Sequence, residues 1–184
     1  MRAHVVGFAL FDTAIGRCGI AWSGRGVAAV QLPEGGPAET RACLLRRCRG
    51  AREAAPPAPV QRALDGIVAL LGGEPSDLEA VALDMTGVPP FHRRVYAVTR
   101  TIPPGSTLSY GEVAARLGAP GMARDVGQAL GRNPFAIIVP CHRVLAAGGR
   151  IGGFSARGGV TTKRRLLSAE RAPAGTAAIG DLFA

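Results

Sequence analysis

The sequence predicts an α+β fold, and three observations carry that expectation. Three short β-prone runs, HVVGFALF, RCGIAWS and GVAAVQL, follow one another near the N-terminus with glycine-containing breaks between them. Two stretches of helical periodicity come next. The second half of the chain then holds mainly helical patterns and a strong basic charge. A small N-terminal antiparallel-sheet domain followed by a mainly helical domain accounts for all three. At 184 residues and 47% hydrophobic, the chain has enough material to bury a core, in one large domain or two small ones.

The breaks Thr13-Ala14-Ile15-Gly16 and Gly24-Arg25-Gly26 make the three runs an antiparallel meander. PAETRACLLRRC and PVQRALDGIVALL read as helices, the second with Leu64, Ile67, Val68 and Leu71 on one stripe. GAREAAPPAP between them reads as a Pro/Ala linker of loop type, and AVALDM as a further strand. TGVPP then marks a boundary. It separates an N-terminal α+β domain at 1–88 from a C-terminal domain at 89–173, with 174–184 as a tail.

In the second domain FHRRVYAVTRTI is predicted as a helix with Phe91, Val95 and Val98 inward, stopped by Pro103-Pro104-Gly105. Ser109-Tyr110-Gly111-Glu112 has the form of a capping box, in which hydroxyl and carboxylate each satisfy an orphan amide at a helix start. The short helix GEVAARLG therefore begins there, Gly118-Ala119-Pro120-Gly121 breaks it, and MARDVGQALG resumes helical spacing. Helix, glycine-containing turn and second helix in a basic region make the pattern of a helix-turn-helix. On the second helix Ala123, Gly127 and Gly131 recur every four residues, a smooth stripe that a nucleic-acid backbone or another helix could approach closely. Val126 and Leu130 turn inward, and Arg124 sits beside the stripe.

The charge is divided unevenly. Residues 1–90 carry nine Arg against nine Asp or Glu, whereas residues 91–171 carry twelve Arg and Lys163 against only Glu112, Asp125 and Glu170. An arginine-rich codon bias raises the total, but it does not remove acids from one half alone. A one-sided surplus is the footprint of a polyanion-binding domain. No apolar run reaches the roughly 18 residues of a membrane span, and MRAHVVGFALFDT lacks the features of a signal peptide, so a soluble cytoplasmic protein is expected. Cys18, Cys43, Cys48 and Cys141 show no CxxC pair and no zinc-finger spacing, and read as free thiols.

Chemistry concentrates in IIVPCHRV, residues 137–144. Cys141 follows the apolar run Phe135-Ala136-Ile137-Ile138-Val139, and Pro140 sets the direction of the chain as it leaves the core. A buried cysteine is most often inert packing. His142 and Arg143 beside it change that reading, because a nucleophile needs a base and the base needs an orienting carboxylate. Beyond Cys141 the candidates are Glu170, at the end of the helical segment GVTTKRRLLSAE, and Asp181.

The chain resembles the methylated-DNA-protein cysteine methyltransferases, or O6-alkylguanine-DNA alkyltransferases, weakly over residues 8–35 and closely over 91–171. Pro140-Cys141-His142-Arg143-Val144 matches the family signature without a change, Gly131-Arg132-Asn133-Pro134 precedes it at the family spacing, and Ile102 to Glu112 is similar to the segment that opens the family's helix-turn-helix. The resemblance implies that Cys141 accepts a methyl or larger alkyl group from O6-alkylguanine in double-stranded DNA, in a single irreversible turnover, with O4-methylthymine as a further candidate substrate. It implies that His142 deprotonates Cys141 through a water, that Glu170 orients His142, and that Asn133 ties the DNA-binding helix to the active-site turn. Tyr110, Val144 and Ser155 then contact the flipped base. Arg124 fills the gap in the stack, and Ala123, Gly127 and Gly131 face the minor groove.

The family further implies a ribonuclease H-like N-terminal domain, no cofactor and a monomer. Some members bind zinc in that domain, but His4, Cys18, Cys43 and Cys48 do not reproduce the ligand pattern, so no structural metal is expected. Phe154 stands where many members have tyrosine, and Ala156-Arg157 reads as a two-residue insertion. Two rival functions are a lesion sensor without chemistry, which would have no need of Cys141, and a thiol hydrolase, which would have no need of the basic half.

Overall fold

The computed structural model describes residues 5–170. The tail at 174–184, together with His4 and Asp181, lies outside the described residues. Strands β1 (Val5–Thr13), β2 (Gly16–Ser23) and β3 (Gly26–Gln31) form the predicted meander, with Phe8 paired to Ala21 and Ile20 to Val30. Alternation along β2 sends Cys18, Ile20 and Trp22 to one core and Ala21 to another, so the sheet is covered on both faces. Helix α1 (Pro37–Arg47) covers the Phe8 and Ala21 face through Leu44, and α2 (Ala58–Leu71) covers the other.

Three local expectations are corrected. The predicted linker contains β4 (Arg52–Glu53), which pairs in parallel with β1 and gives the sheet order β3-β2-β1-β4. A short charged strand of this kind covers the open backbone edge of β1 without needing an apolar pattern. AVALDM is not a strand: it makes one bridge, Leu83 to Val27, with Val27 N donating to Ala82 O at 2.9 Å and Asp84 N to Val27 O at 2.8 Å. The close approach requires Gly26, where a Cβ would lie 2.3 Å from Ala82 O at a φ of +131°. The stripe of α2 is also rotated, burying Val60, Ala63, Ile67, Leu70 and Leu71 and leaving Val68 37% exposed. Val60 and Ala63 start a second apolar row at the same period, and that row lies against the sheet.

The helical part begins with α3 (Pro90–Arg100), which buries Val95 and Tyr96 with Phe91 and Val98 packed beside them. Tyr96 OH donates to Ala129 O at 3.0 Å, and its ring meets Phe135 edge-on. Strand β5 (Leu108–Ser109) leads into α4 (Tyr110–Arg116), and both halves of the Ser109/Glu112 capping box are formed. Residues 117–122 turn the chain into α5 (Ala123–Gly131), which buries Val126, Ala129 and Leu130. A 3-10 turn at Cys141–Arg143 follows, then β6 (Val144–Leu145), parallel to β5, and α6 (Val160–Ala169), for which Glu170 is the C-cap.

The run before Cys141 joins the two parts. Ile137 and Ile138 belong to the core of the sheet and α2, whereas Phe135 and Val139 belong to the core of α3, α4 and α5. Val30 N donates to Pro134 O at 2.8 Å and extends that join into the sheet.

Candidate active site

A compact loop, not a helix or strand, positions the thiol. Ile137 has a φ of 72°, a left-handed conformation costly for a β-branched residue, and it folds the run so that Val139 N reaches Phe135 O at 2.8 Å. Asn133 locks this loop from both ends: its Nδ2 donates to Val139 O at 2.9 Å and its Oδ1 accepts from Phe135 N at 2.9 Å. Pro140 then directs Cys141 to the rim of the core, where it is half-buried. Burial raises the Cys141 pKa, while a hydrogen bond from the Asn133 side chain and the charge of Lys163 oppose the rise.

His142 and Glu170 are buried and meet at 2.8 Å through His142 Nε2 and Glu170 Oε1. Burial pulls the Glu170 pKa upward, but hydrogen bonds from Arg143 and His142, with their charges, outweigh it and hold the group at about 2. Glu170 is therefore ionised at neutral pH and acts only as an acceptor. His142 Nε2 must then carry the proton. Burial also lowers the His142 pKa, against the pull of Glu170, so the ring is neutral and Nδ1 is its basic nitrogen. Nδ1 is buried and has no hydrogen-bond partner among the described residues.

Two participants were not assigned from sequence. Arg143 clamps Glu170 with Nε to Oε2 at 2.8 Å and Nη2 to Oε1 at 2.7 Å, and its Nη1 donates to Ile102 O. Lys163 is fully buried, donates to Val144 O at 2.6 Å and lies 5.8 Å from the centre of the Tyr110 ring. Its burial lowers its pKa to about 8, with Cys141 opposing. In sequence both are basic residues in a basic half. The only available signal was that Arg143 lies inside an otherwise apolar segment and Lys163 is the single lysine of the chain.

The predicted residues separate into a network and a surface. Cys141, His142, Glu170 and Asn133 come together as described. Tyr110 is half-buried, with Gly127 of α5 at one ring edge and Gly152 at the other: a Cβ added there would lie 3.8 Å and 3.9 Å from the ring, respectively. Val144 is buried, and its carbonyl already accepts Lys163, which leaves it one lone pair for a further donor. Ser155 is exposed and shares with Cys141, Asn133 and Phe154 the wall of a cavity of about 170 Å³. Arg124 and Gly131 are exposed on α5, with Ala123 and Gly127 half-exposed beside them, and Arg124 makes no hydrogen bond to the acceptor network. The side chains of Phe154 and Ala156 pack on the core of the sheet and α2, so the segment containing the insertion is anchored to the N-terminal part. Among the described residues no three His, Cys, Asp or Glu side chains converge as metal ligands, and no helix is long and apolar enough to cross a membrane.

Comparison with known proteins bears directly on this arrangement. Residues 90–172 match the model of the 6-O-methylguanine DNA methyltransferase DNA-binding domain. A methylated-DNA–protein-cysteine methyltransferase of Methanothermobacter thermautotrophicus is 40% identical over 152 residues, which cover 83% of this chain and 78% of the relative. The chain belongs to the methylated-DNA–protein-cysteine methyltransferases. A Mycobacterium tuberculosis methyltransferase of the same name is 48% identical over 120 residues, covering 64% of this chain and 70% of its own. The crystal structure of Mycobacterium tuberculosis OGT in complex with DNA superposes with a TM-score of 0.72 at 38% identity, covering 92% of this methyltransferase and 97% of that chain.

Proposed function

We propose that this methyltransferase repairs double-stranded DNA by taking the alkyl group of O6-alkylguanine onto Cys141, once per protein molecule. The observation that carries the assignment is the neutral His142 ring beside Cys141, fixed through Nε2 by an ionised Glu170 so that Nδ1 is left as the base. The Cys141 proton passes through a water to Nδ1, the sulfur attacks the alkyl carbon, and the carbon–O6 bond breaks. The electron pair returns to the guanine, which takes up the proton. A thioether is not reversed by water, so the reaction is stoichiometric, and it needs no cofactor.

A base inside a duplex cannot reach a thiol at the rim of a core, so the nucleotide has to leave the stack at a cost of a few kcal/mol. We assign the helix-turn-helix formed by α4 and α5 to DNA binding. Ala123, Gly127 and Gly131 lie against the minor groove, and Arg124 enters the stack to offset the unstacking. Tyr110, the Val144 carbonyl and Ser155 receive the extruded base. In this division of labour residues 89–173 handle DNA and chemistry, residues 1–88 supply no group of the proton relay, and the protein works as a cytoplasmic monomer. Incubation with an oligonucleotide containing O6-methylguanine should add one methylene unit of mass to the peptide holding Cys141. Cys141→Ser should abolish the gain while DNA binding persists; a mass gain that survives on Cys18, Cys43 or Cys48 would reject the assignment.

A further inference from the structure

The cavity of about 170 Å³ beside Cys141 is larger than methyl transfer needs; of the three base-binding residues it touches Ser155 alone, and it leads away from Tyr110 and Val144. Cys141, Ser155 and Phe154 form one side, whereas Tyr110 and Val144 take no part in its wall. Its other side comes from the N-terminal part: Gln31 at the end of β3, Glu34 just after it, and Arg46 and Arg47 at the end of α1. At about 30 Å³ for a water-sized group, it holds on the order of five such groups, where a methyl occupies one. With the guanine placed against Tyr110, Val144 and Ser155, the cavity receives the group being transferred.

Its lining mixes apolar side chains, Val30, Leu32 and Leu130 among them, with polar groups of unequal charge. Glu34 is held on one wall, where its Oε1 accepts from Gln31 Nε2 at 2.9 Å. The guanidinium of Arg46 is placed by a contact of 2.7 Å from Nη2 to the Cys43 sulfur, and no ion pair among the described residues engages Arg46 or Arg47. Two cations against one acid, in a space of about four to five heavy groups, suit a short substituent ending in an anion. We propose that Arg46 and Arg47 make this protein selective for O6-alkyl groups with a carboxylate terminus, of which carboxymethyl is the smallest. This rests on Cys141 being the acceptor. The step is otherwise unchanged: the sulfur bonds to the CH2 carbon, the bond from that carbon to O6 breaks, and the thiol proton ends on guanine.

The test uses duplex oligonucleotides carrying O6-methyl-, O6-carboxymethyl- or neutral O6-carbamoylmethyl-guanine, with single-turnover rates measured at saturating protein. The carboxymethyl-to-carbamoylmethyl rate ratio should fall about fivefold in Arg46→Ala/Arg47→Ala relative to wild type, as expected for loss of a solvent-screened ion pair. Arg46→Glu/Arg47→Glu should lower it further. The O6-methyl rate should stay unchanged in both variants, which reports that fold and chemistry are intact. A ratio that is the same in wild type and both variants overturns the proposal. An equal fall on all three substrates also overturns it, because the arginines would then serve DNA as a whole. Absence of any adduct on Cys141 in wild type would instead reject the acceptor assignment.

Discussion

Arg143→Met should unfold the site's support before it affects anything else. Methionine keeps the length and apolar stem but removes the two hydrogen bonds to Glu170 and the one to Ile102 O, leaving a carboxylate whose side chain is fully buried with His142 as its one remaining side-chain partner among the described residues. The fall of the Glu170 pKa from 4.5 to about 2 corresponds to roughly 3 kcal/mol favouring the ionised form, at about 1.4 kcal/mol per pKa step. Breaking a buried pair from one side costs about 3–5 kcal/mol. For a chain of this size that lowers Tm by roughly 6–20 °C at pH 7.

The sign of the pH dependence provides a second check. A depressed carboxyl pKa contributes stability that is present above about 4.5 and is lost as the pH falls toward 2. The gap in Tm between wild type and Arg143→Met, followed by calorimetry, should therefore narrow as the pH is lowered from 5 to 3. Arg143→Met/Glu170→Met should regain much of the stability, because replacing a whole buried pair by apolar groups is close to neutral, yet remain slow in methyl transfer. A Tm at pH 7 within about 2 °C of wild type, or a gap that does not change with pH, would refute the clamp.

Glu170→Gln should slow methyl transfer on the order of a hundredfold at neutral pH, with partial recovery at higher pH where the Cys141 thiolate forms unaided; a rate profile parallel to wild type would remove Glu170 from the relay. Arg124→Ala and Arg124→Lys should both slow repair of duplex DNA far more than they weaken binding, with Lys intermediate, because a planar guanidinium in the stack acts through shape as well as charge. The defect should shrink on the free base O6-benzylguanine, and equal losses on duplex and free base would withdraw the assignment.

The parts of the fold with a complete local signal were legible in the sequence. The meander was visible from alternation and glycine breaks, and the α4 start from the Ser109/Glu112 box, since both depend on residues within a few positions of each other. β4 was not, because two charged residues become a strand only through the edge of β1, more than forty positions earlier. Val68 was misplaced because Val60 and Ala63 supplied a second apolar row at the same period. In the site, the motif directed attention to Cys141 and His142, and the need for an orienting carboxylate, together with the family resemblance, to Glu170. The buried roles of Arg143 and Lys163 depend on acceptors at Glu170, Ile102 and Val144, which only the tertiary fold brings to them. Charged residues read singly default to the surface.

The five residues from Phe135 to Val139 act as a shared axle. Ile137 and Ile138 turn in one core, Phe135 and Val139 in the other, and the thiol rides two positions past the end. Packed cores transmit displacement instead of absorbing it, so looseness in either bearing reaches the sulfur. The N-terminal part, though it supplies none of the relay, thereby sets the mechanical tolerance within which Cys141 meets an alkyl carbon. A shape error beneath α2, at Ile67 for instance, would be felt as a change in nucleophile alignment even while every group of the relay kept its partner.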